Sequence, residues 1–312
     1  MSFETTSDEI IKKRLEQYFI TGYAENIETT KRYIREMKER DPQWLAFMES
    51  TSKIRANYNE KELELLARGN RIIPSLTKKI DFDGEVLRFA HITDTHMGAV
   101  FFKEYIWEAL VREVNKKKVD MVFHTGDVTE GLNNARIDMI YDLTHIGYDK
   151  QKDYATEKLE QLDAPIYAVD GNHDRWFKKS SGALIVKDIA ERLPNMTYLG
   201  EDTADVKVGS STIRLWHGED GSSYAISYRP QKIVEAMSGG DKPNILLTGH
   251  VHKMGYFFIR NVHVISGGAV TTQSNWMKRT RKENHTGFWI CEAVLTDKGV
   301  GQFTGTFYPF YE

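Results

Sequence analysis

The segment IYAVDGNHDRW, residues 166–176, joins an apolar run to a dense group of polar residues. Its first four residues have the composition of a buried strand. The next five are Asp170, Gly171, Asn172, His173 and Asp174. Because a simple turn needs only one or two polar residues, this group indicates a functional site at the end of a strand.

The chain around this segment alternates between strand and helix patterns from residue 80 to about residue 195. Strands are predicted at 86–92, 119–125 and 165–169, with a helix at 102–118 and a helical region around 133–161. This order predicts a mostly parallel sheet covered by helices. After residue 195, short strands separated by Gly and Asn predict hairpins and a second, more antiparallel sheet.

Four further polar clusters follow predicted strands in the same way. They contribute Asp94 with His96, then Asp127, then His217, and finally His250 with His252. Residues two apart in an extended chain point to the same side, and ligands of open α/β sheets bind at the carboxyl ends of strands. A glycine precedes Asp127, Asn172 and His250, where it allows a sharp turn or a close backbone approach. We therefore expect the five clusters to converge on one edge.

The residue types in these clusters favour a metal site. Three Asp or Asn oxygens combined with four imidazoles suit Mn, Fe, Zn or similar ions, whereas Ca and Mg prefer oxygen ligands alone. Seven ligands are too many for one ion. They fit two ions about 3.5–4 Å apart that share a carboxylate and a water, as in phosphatases and nucleases.

The order of the motifs carries a family resemblance. D-x-H, G-D, G-N-H-D, H-G and G-H-x-H occur in this order between about residue 86 and residue 270, and the sequence resembles the calcineurin-like metallophosphoesterases. The resemblance implies a four-layer α/β/β/α sandwich with a dinuclear centre at the strand ends. We expect residues 80–312 to form this catalytic domain and residues 1–79 to form a small N-terminal helical region.

The resemblance also implies a role for each motif residue. The first metal would be bound by Asp94, His96 and His252, and the second by Asn172, His217 and His250, with Asp127 as the bridge. His173 would contact the phosphate and protonate the leaving oxygen, and Asp174 would orient its imidazole. A metal-bridged water would lose its proton and attack phosphorus in line. Two divalent ions are expected, Mn²⁺ first, with Fe, Zn or Ni as alternatives.

The motif details bear on the substrate. The segment GDVTEG lacks the arginine that protein Ser/Thr phosphatases carry after the second motif, so a protein substrate is disfavoured. TDTHMGA and GNHD resemble the SbcD-type DNA repair exonucleases, and residues 248–283 resemble in layout the small subunit of archaeal replicative DNA polymerase. A DNA nuclease or phosphodiesterase is the first hypothesis. A phosphodiesterase or phosphatase for small nucleotides is the second, and a catalytically inactive DNA-binding subunit is the third.

The segment SNWMKRTRKENH, residues 274–285, is the candidate substrate contact. It holds one aromatic residue among four basic ones: Trp276, Lys278, Arg279, Arg281 and Lys282. A ring that stacks on bases beside cations that bind phosphates suits a single strand or a strand end. The alternative is a solvated loop. Trp176 and Phe177, directly after the third motif, are interpreted either as a second stacking surface or as core.

The pattern of apolar residues predicts a helical unit in the first 79 residues. Helices are predicted near residues 8–19 and 26–41, with a third at 59–70. The second is rich in Lys31, Arg32, Arg35 and Lys38, which allows either a helix-turn-helix that contacts DNA or a solvated helix face. Binding of a protein partner or self-association is a further hypothesis for this region.

The composition narrows the class of protein. The 42 basic and 45 acidic residues give a net charge of -3, so contact with nucleic acid must depend on local patches. Cys291, the single cysteine, excludes an intrachain disulfide. The sequence has no signal-like N-terminus and no apolar run near the ~20 residues that span a bilayer. We therefore expect a soluble cytoplasmic protein without membrane contact.

Overall fold

The chain divides into two compact units, residues 1–74 and 75–312. The computed structural model describes residues 8–21, 26–42, 44, 45, 48, 77–221, 223–238 and 240–311. None of the helices within these residues is long and apolar enough to cross a membrane.

The N-terminal unit contains helices α1 (Asp8–Thr21) and α2 (Ile27–Arg40). The side chain of Asn26 caps α2 by accepting hydrogen bonds from the backbone N–H groups of Glu28 and Thr29, both at 3.0 Å. The two helices bury a common apolar cluster that includes Ile11, Leu15, Tyr33 and Met37. The helix predicted at 59–70 lies outside the described residues.

The basic residues of α2 favour the solvated-face alternative. Lys31 forms an ion pair with Glu28 at 3.0 Å, and Arg32 one with Glu36 at 3.6 Å. Both acidic partners lie on the same helix, within one turn of their cation. These two cations are therefore partly neutralised within α2, which weakens the helix-turn-helix prediction.

The second unit contains two six-stranded sheets. The first sheet has the order β12-β11-β2-β3-β4-β5 and the second the order β1-β6-β7-β8-β10-β9. The strands of the first sheet are β2 (Val86–Ile92), β3 (Met121–Thr125), β4 (Ile166–Asp170), β5 (Met196–Glu201), β11 (Gly287–Thr296) and β12 (Gly299–Pro309). Those of the second are β1 (Lys78–Ile80), β6 (Thr203–Val208), β7 (Ser211–Trp216), β8 (Ile245–Thr248), β9 (Met254–Ile259) and β10 (Val262–Gly267).

Helices cover the outer faces of both sheets. Those of the second unit are α3 (Glu104–Lys117), α4 (Tyr148–Leu159), α5 (Arg175–Ser181), α6 (Ile185–Arg192), α7 (Tyr228–Ala236) and α8 (Asn275–Arg279), with a 3₁₀ helix at Ile137–Asp142. Helices α3, α4 and α6 pack against the first sheet, where Ala90 and Ile92 face them. Helix α7 packs through Ile233 and Val234 against the second sheet.

The two sheets pack against each other through their inner faces. Leu87 and Phe89 of β2 alternate with the outward-facing Ala90 and Ile92, and they meet Leu215 of β7 and Leu247 of β8. The layers therefore run helix, sheet, sheet, helix. The predicted α/β/β/α sandwich is confirmed.

The pairing within the sheets differs from the prediction in two respects. The second sheet is mixed and not mainly antiparallel, because β1 with β6, β7 with β8, and β8 with β10 are parallel pairs. Helix α7 connects β7 to β8, and such a crossover leaves the two strands parallel. The late hairpin of β11 and β12 joins the first sheet, where β11 pairs antiparallel with β2.

Candidate metal centre and active site

The loops that follow the strands hold the candidate ligands in an uncommon backbone conformation. Positive φ angles between 48° and 74° occur at Asp94, His96, Asp127, His250 and His252. Residues other than glycine rarely adopt this left-handed region, and those that do cluster at functional sites. Five of the seven predicted ligands thus have backbones that the surrounding structure holds in a strained state.

Two glycines allow these loops to pack closely. A Cβ atom at Gly171 would overlap the carboxylate of Asp127, and one at Gly249 would overlap the hydroxyl of Thr93. The glycines before Asn172 and His250 are therefore needed for close approach between neighbouring loops.

The first group of donors consists of Asp94, His96 and His252, whose ligand atoms all lie within 4.8 Å of one another. The Nε2 atom of His252 is 3.3 Å from Oδ1 of Asp94 and 3.2 Å from Nε2 of His96. All three side chains are buried. One carboxylate and two imidazoles thus face one small volume.

The second group consists of Asp127, His217 and His250, joined by Asn172. The Oδ2 atom of Asp127 lies 3.2 Å from Nε2 of His217. Oδ1 of Asn172 lies 3.0 Å from Nε2 of His217 and 2.8 Å from Nδ1 of His250. The same Oδ2 of Asp127 is 3.9 Å from Nε2 of His96 in the first group, so Asp127 lies between the two groups, where a bridging ligand would be.

The far nitrogens of two histidines have fixed partners. Nδ1 of His217 donates to the carbonyl oxygen of Thr125 at 2.8 Å, and Nδ1 of His252 donates to Oδ1 of Asn284 at 2.7 Å. With Nδ1 as the donor, Nε2 is free to act as a ligand. The donor types, their spacing and these tautomers fit a site for two divalent cations. When bound, such cations activate water as a nucleophile and neutralise charge on a phosphoester.

The electrostatics of the donors are consistent with cation binding. Burial opposes ionisation of Asp94 and Asp127, but His252 and His217 lower the pKa values of these carboxyls below their usual range. Burial and the neighbouring His217 lower the pKa of His250 to about 4. At neutral pH the centre therefore offers carboxylates and a neutral His250, which are the forms that bind metals. The same carboxylates act against burial and raise the pKa of His217 to about 9 and that of His252 above its usual value, so a cation that binds these two imidazoles must displace their protons.

His173 lies beside the two groups and lines the same cavity. Its backbone N–H donates to Oδ1 of Asp127 at 2.8 Å, and its ring Nδ1 donates to the carbonyl oxygen of Glu130 at 2.9 Å. Although burial opposes protonation, the charges of Asp127 and Glu130 raise the pKa of His173 to about 10. The ring therefore carries a proton at neutral pH, with Nε2 left to meet a ligand.

Glu130 occupies the position that the sequence had suggested for Asp174. Its Oε2 atom lies 2.7 Å from Nδ1 of His96 and 3.6 Å from Nδ1 of His173. The sequence analysis did not assign Glu130, although its place three residues after Asp127 in the same loop was an available signal.

The contacts of Asp174 correct the prediction that it orients His173. Its carboxylate accepts hydrogen bonds from the backbone N–H groups of Val128, Thr129 and Gly171 at 2.8–3.0 Å. Asp174 is buried and joins the loop after β3 to the loop after β4. Its acceptor capacity is used on the backbone, so Glu130 and not Asp174 contacts the imidazole of His173.

Asp170, from the segment 166–176, and two buried histidines form hydrogen bonds near the loops that hold the donors. Asp170 accepts hydrogen bonds from Arg175 and from the hydroxyl of Tyr198, both at 3.0 Å. His91 and His124 are buried and contact threonine hydroxyls at 3.0 and 3.1 Å, and burial lowers the pKa of each to about 3. Both are therefore neutral, and their predicted place in the core or next to the ligands is confirmed.

A cavity of about 620 Å³ opens onto the donors. The segment 274–283 lines it through Trp276, Arg281 and Lys282, whereas Lys278 and Arg279 are not among the lining residues. The structure thus brings three of the five predicted substrate contacts to the cavity. Trp176 lines the cavity too, while Phe177 is buried in the core beneath the first sheet's helices.

Known proteins are similar in sequence to this chain. A family model described as "Calcineurin-like phosphoesterase superfamily domain" matches residues 87–286. A DNA polymerase II small subunit from Archaeoglobus fulgidus is 25% identical over 252 residues, which cover 64% of this chain and 50% of that protein. This chain therefore spans about half the length of that relative.

Solved structures show a more distant similarity to this chain. An archaeal phosphodiesterase is 17% identical, with a TM-score of 0.41, over 71% of this chain and 100% of the other. A phosphoesterase from E. coli is 15% identical, with a TM-score of 0.40, over 70% of this chain and 98% of the other. Since the family model covers the five strand-end motifs, the chain belongs to the calcineurin-like phosphoesterase superfamily.

Proposed function

We propose that the chain is a dinuclear-metal-dependent phosphodiesterase that acts on nucleic acid, as a DNA nuclease. The observation that carries this proposal is the shared cavity. The two donor groups, His173, Trp276 and Arg281 all line or adjoin one space of about 620 Å³. A hydrolytic centre thus faces an indole and a guanidinium, which suit a base and a phosphate.

The chain's own residues have distinct parts in this reaction. Asp127 and Asn172 would hold the cations, and Asp127 also accepts the backbone N–H of His173, which fixes that residue beside the donor groups. As the oxygen of a water molecule forms a new P–O bond and the bond to the leaving oxygen breaks, the protonated ring of His173 would give its Nε2 proton to that leaving oxygen. Glu130 holds Nδ1 of that ring, so the imidazole keeps the orientation that this transfer needs.

Two further observations support a nucleic-acid substrate. The relative from Archaeoglobus fulgidus is named as a DNA polymerase subunit. The intact donor set argues against the hypothesis of an inactive DNA-binding subunit, because all seven predicted ligands converge at the strand ends.

A small-nucleotide phosphodiesterase is the second candidate. The segment 274–283 forms one side of the cavity, and the cavity volume falls within the ~300–1,000 Å³ of small-molecule sites. A nucleotide would fit such a space without any strand beyond it.

The experiment that distinguishes the two candidates measures hydrolysis of several substrates by the purified protein with Mn²⁺. Parallel reactions contain Fe²⁺, Zn²⁺ or Ni²⁺. The panel contains labelled single- and double-stranded DNA, cyclic mononucleotides and a chromogenic phosphodiester. We expect DNA cleavage by the wild type and none by Asp127→Asn, which controls for a contaminating nuclease. Intact DNA together with consumption of a cyclic nucleotide would establish the second candidate.

A further inference from the structure

Arg136 is a cavity residue that neither the motifs nor the proposed reaction uses. It lies just before the 3₁₀ helix Ile137–Asp142, and its backbone N–H donates to the carbonyl oxygen of Asn133 at 2.9 Å. Its half-buried side chain lines the cavity together with His173. Among the residues that the structure describes, Arg136 has no ion pair within 4 Å, although its charge acts on Asp142, which lines the same cavity. A guanidinium in this state offers parallel N–H donors that match a phosphate.

Arg281 presents a second guanidinium to the same cavity from another part of the chain. Its backbone has a φ of 54°, a strained conformation for an arginine. Within the described part of the chain it too lacks an acidic partner. The two guanidiniums thus line one space from separate loops, while the donor groups supply the site of the reacting phosphate.

The charge of the lining shows that these arginines are not part of a general basic surface. Four basic side chains line the cavity, and four acidic ones line it too: Arg136, Lys253, Arg281 and Lys282 against Asp127, Glu130, Asp142 and Glu283. Lys253 and Glu283 form an ion pair at 3.2 Å. The Arg and Lys charges of the lining therefore equal the Asp and Glu charges in number, and Arg136 and Arg281 act as local contacts.

Trp176 supplies a flat apolar surface next to the reaction centre. Its ring centroid lies 4.0 Å from that of His173, with 34° between the planes. A side chain at Gly131 would overlap the carbonyl oxygen of His173 and press on the indole, so the close packing of this loop holds Trp176 beside His173. Indoles stack on unpaired bases, whose faces are not covered by neighbours in a duplex.

We propose that the cavity binds an unpaired nucleic-acid strand of at least two nucleotides. This proposal rests on the proposed phosphodiesterase function. One phosphate lies at the metal donors, the adjacent phosphate contacts Arg136 and Arg281, and a base stacks on Trp176. A cyclic mononucleotide has a single phosphate and would leave both guanidiniums unused. A duplex would not present a free base face. The substrate class is therefore a single strand or an unpaired end.

The test compares kcat/KM for a labelled single-stranded oligonucleotide with kcat/KM for bis(p-nitrophenyl) phosphate, which has one phosphate and no base. Arg136→Ala is expected to lower the ratio of the two values at least tenfold, with most of the decrease arising from a higher KM for the strand. Trp176→Ala is expected to lower it as well, and Trp176→Phe to restore most of it. Arg112→Ala, which removes an exposed arginine of α3, is the matched control and should leave the ratio at the wild-type value.

The results of this test distinguish failure of the strand proposal from failure of the proposed phosphodiesterase function. An unchanged ratio in Arg136→Ala, or wild-type preference for a blunt duplex or a cyclic mononucleotide, overturns the strand proposal and leaves the phosphodiesterase in place. DNA and RNA oligonucleotides form separate arms. Cleavage of RNA alone supports an unpaired strand and overturns the DNA assignment. Failure to hydrolyse any substrate, the aryl diester included, overturns both proposals.

Discussion

The donor loops and the segment 274–283 form two walls of one cavity, but they are built differently. The donor loops follow five strands, have left-handed residues such as Asp94 and His250, and are held by buried hydrogen bonds to Asp174. The segment 274–283 is a single surface stretch around the short helix α8, where Trp276 is 47% exposed. We call the donor loops the rigid wall and the segment 274–283 the adaptable wall, and we propose that the first performs the chemistry and the second selects the ligand.

The largest expected effect is on the rigid wall. Asp127→Asn replaces the carboxylate between the two donor groups, so we expect loss of bound metal and a fall in kcat of at least about 10³-fold. Metal content measured by mass spectrometry, together with diester hydrolysis, checks this. Asp163→Asn, an exposed position, is the control. Full metal content with full activity in Asp127→Asn would show that the carboxylate of Asp127 is not needed to bind the metals or for hydrolysis.

His173→Ala, in the same wall, should lower the rate of diester cleavage without lowering the metal content. We expect metal content to stay at the wild-type level and cleavage of an alkyl diester to fall about 10²–10³-fold, because a general acid contributes roughly this much. A substrate with a p-nitrophenol leaving group needs less protonation, so its decrease should be smaller. Metal loss in this variant would show that His173 acts as a ligand.

We expect Glu130→Gln to lower the activity and Asp174→Asn to lower the free energy of unfolding. Glu130→Gln removes the carboxylate charge beside Nδ1 of His96 and Nδ1 of His173 and keeps the backbone carbonyl that accepts from His173. We expect about 10- to 100-fold lower activity at unchanged stability. Asp174→Asn puts an amide NH₂ among backbone N–H donors, and we expect about 1–3 kcal/mol lower free energy of unfolding. Urea denaturation and diester hydrolysis measure the two quantities. The reverse result would restore Asp174 as the residue that orients His173.

The smallest effects are expected on the adaptable wall. The double variant Arg281→Ala with Lys282→Ala should weaken oligonucleotide binding and make the slope of log affinity against log salt shallower by about 0.7 for each phosphate that is no longer bound. Lys278→Ala with Arg279→Ala, at positions outside the cavity lining, is the matched control. Titration by fluorescence anisotropy at several salt concentrations checks both, and equal slopes would identify the whole segment as a solvated loop.

The sequence predicted those parts of the molecule that depend on local spacing. Asp94 and His96 follow a strand, and the position of the strand in the sheet then brings them to the site. Glu130 lies three residues after Asp127, but its contacts with His96 and His173 arise only in the folded chain. Asn284 and Arg136 lie outside the motifs, and only the folded chain brings them to His252 and to the cavity. The parallel pairs of the second sheet were not predicted because the crossover helix α7 has only nine residues and therefore a weak helical periodicity. Strand β12 was not predicted because its sequence is rich in Gly and Thr.

Other predictions stay open to experiment. Partner binding or self-association through residues 1–79 rests on the helical pattern of this region, part of which lies outside the described residues. The identity of the metals is not fixed by a set of carboxylate, amide and imidazole donors, which several divalent ions accept.

Asn284 connects the two walls. Its Oδ1 atom accepts the hydrogen bond from His252, and its amide group donates to the carbonyl oxygen of Thr271 and to Thr286. The residue lies directly after the segment 274–283, so a shift of that segment moves the partner of a metal ligand. Free-energy coupling between two sites is reciprocal. If metal binding at His252 orders the segment and improves strand affinity, a bound strand must raise metal affinity by the same factor, and the protein would hold its metals most tightly while engaged with substrate.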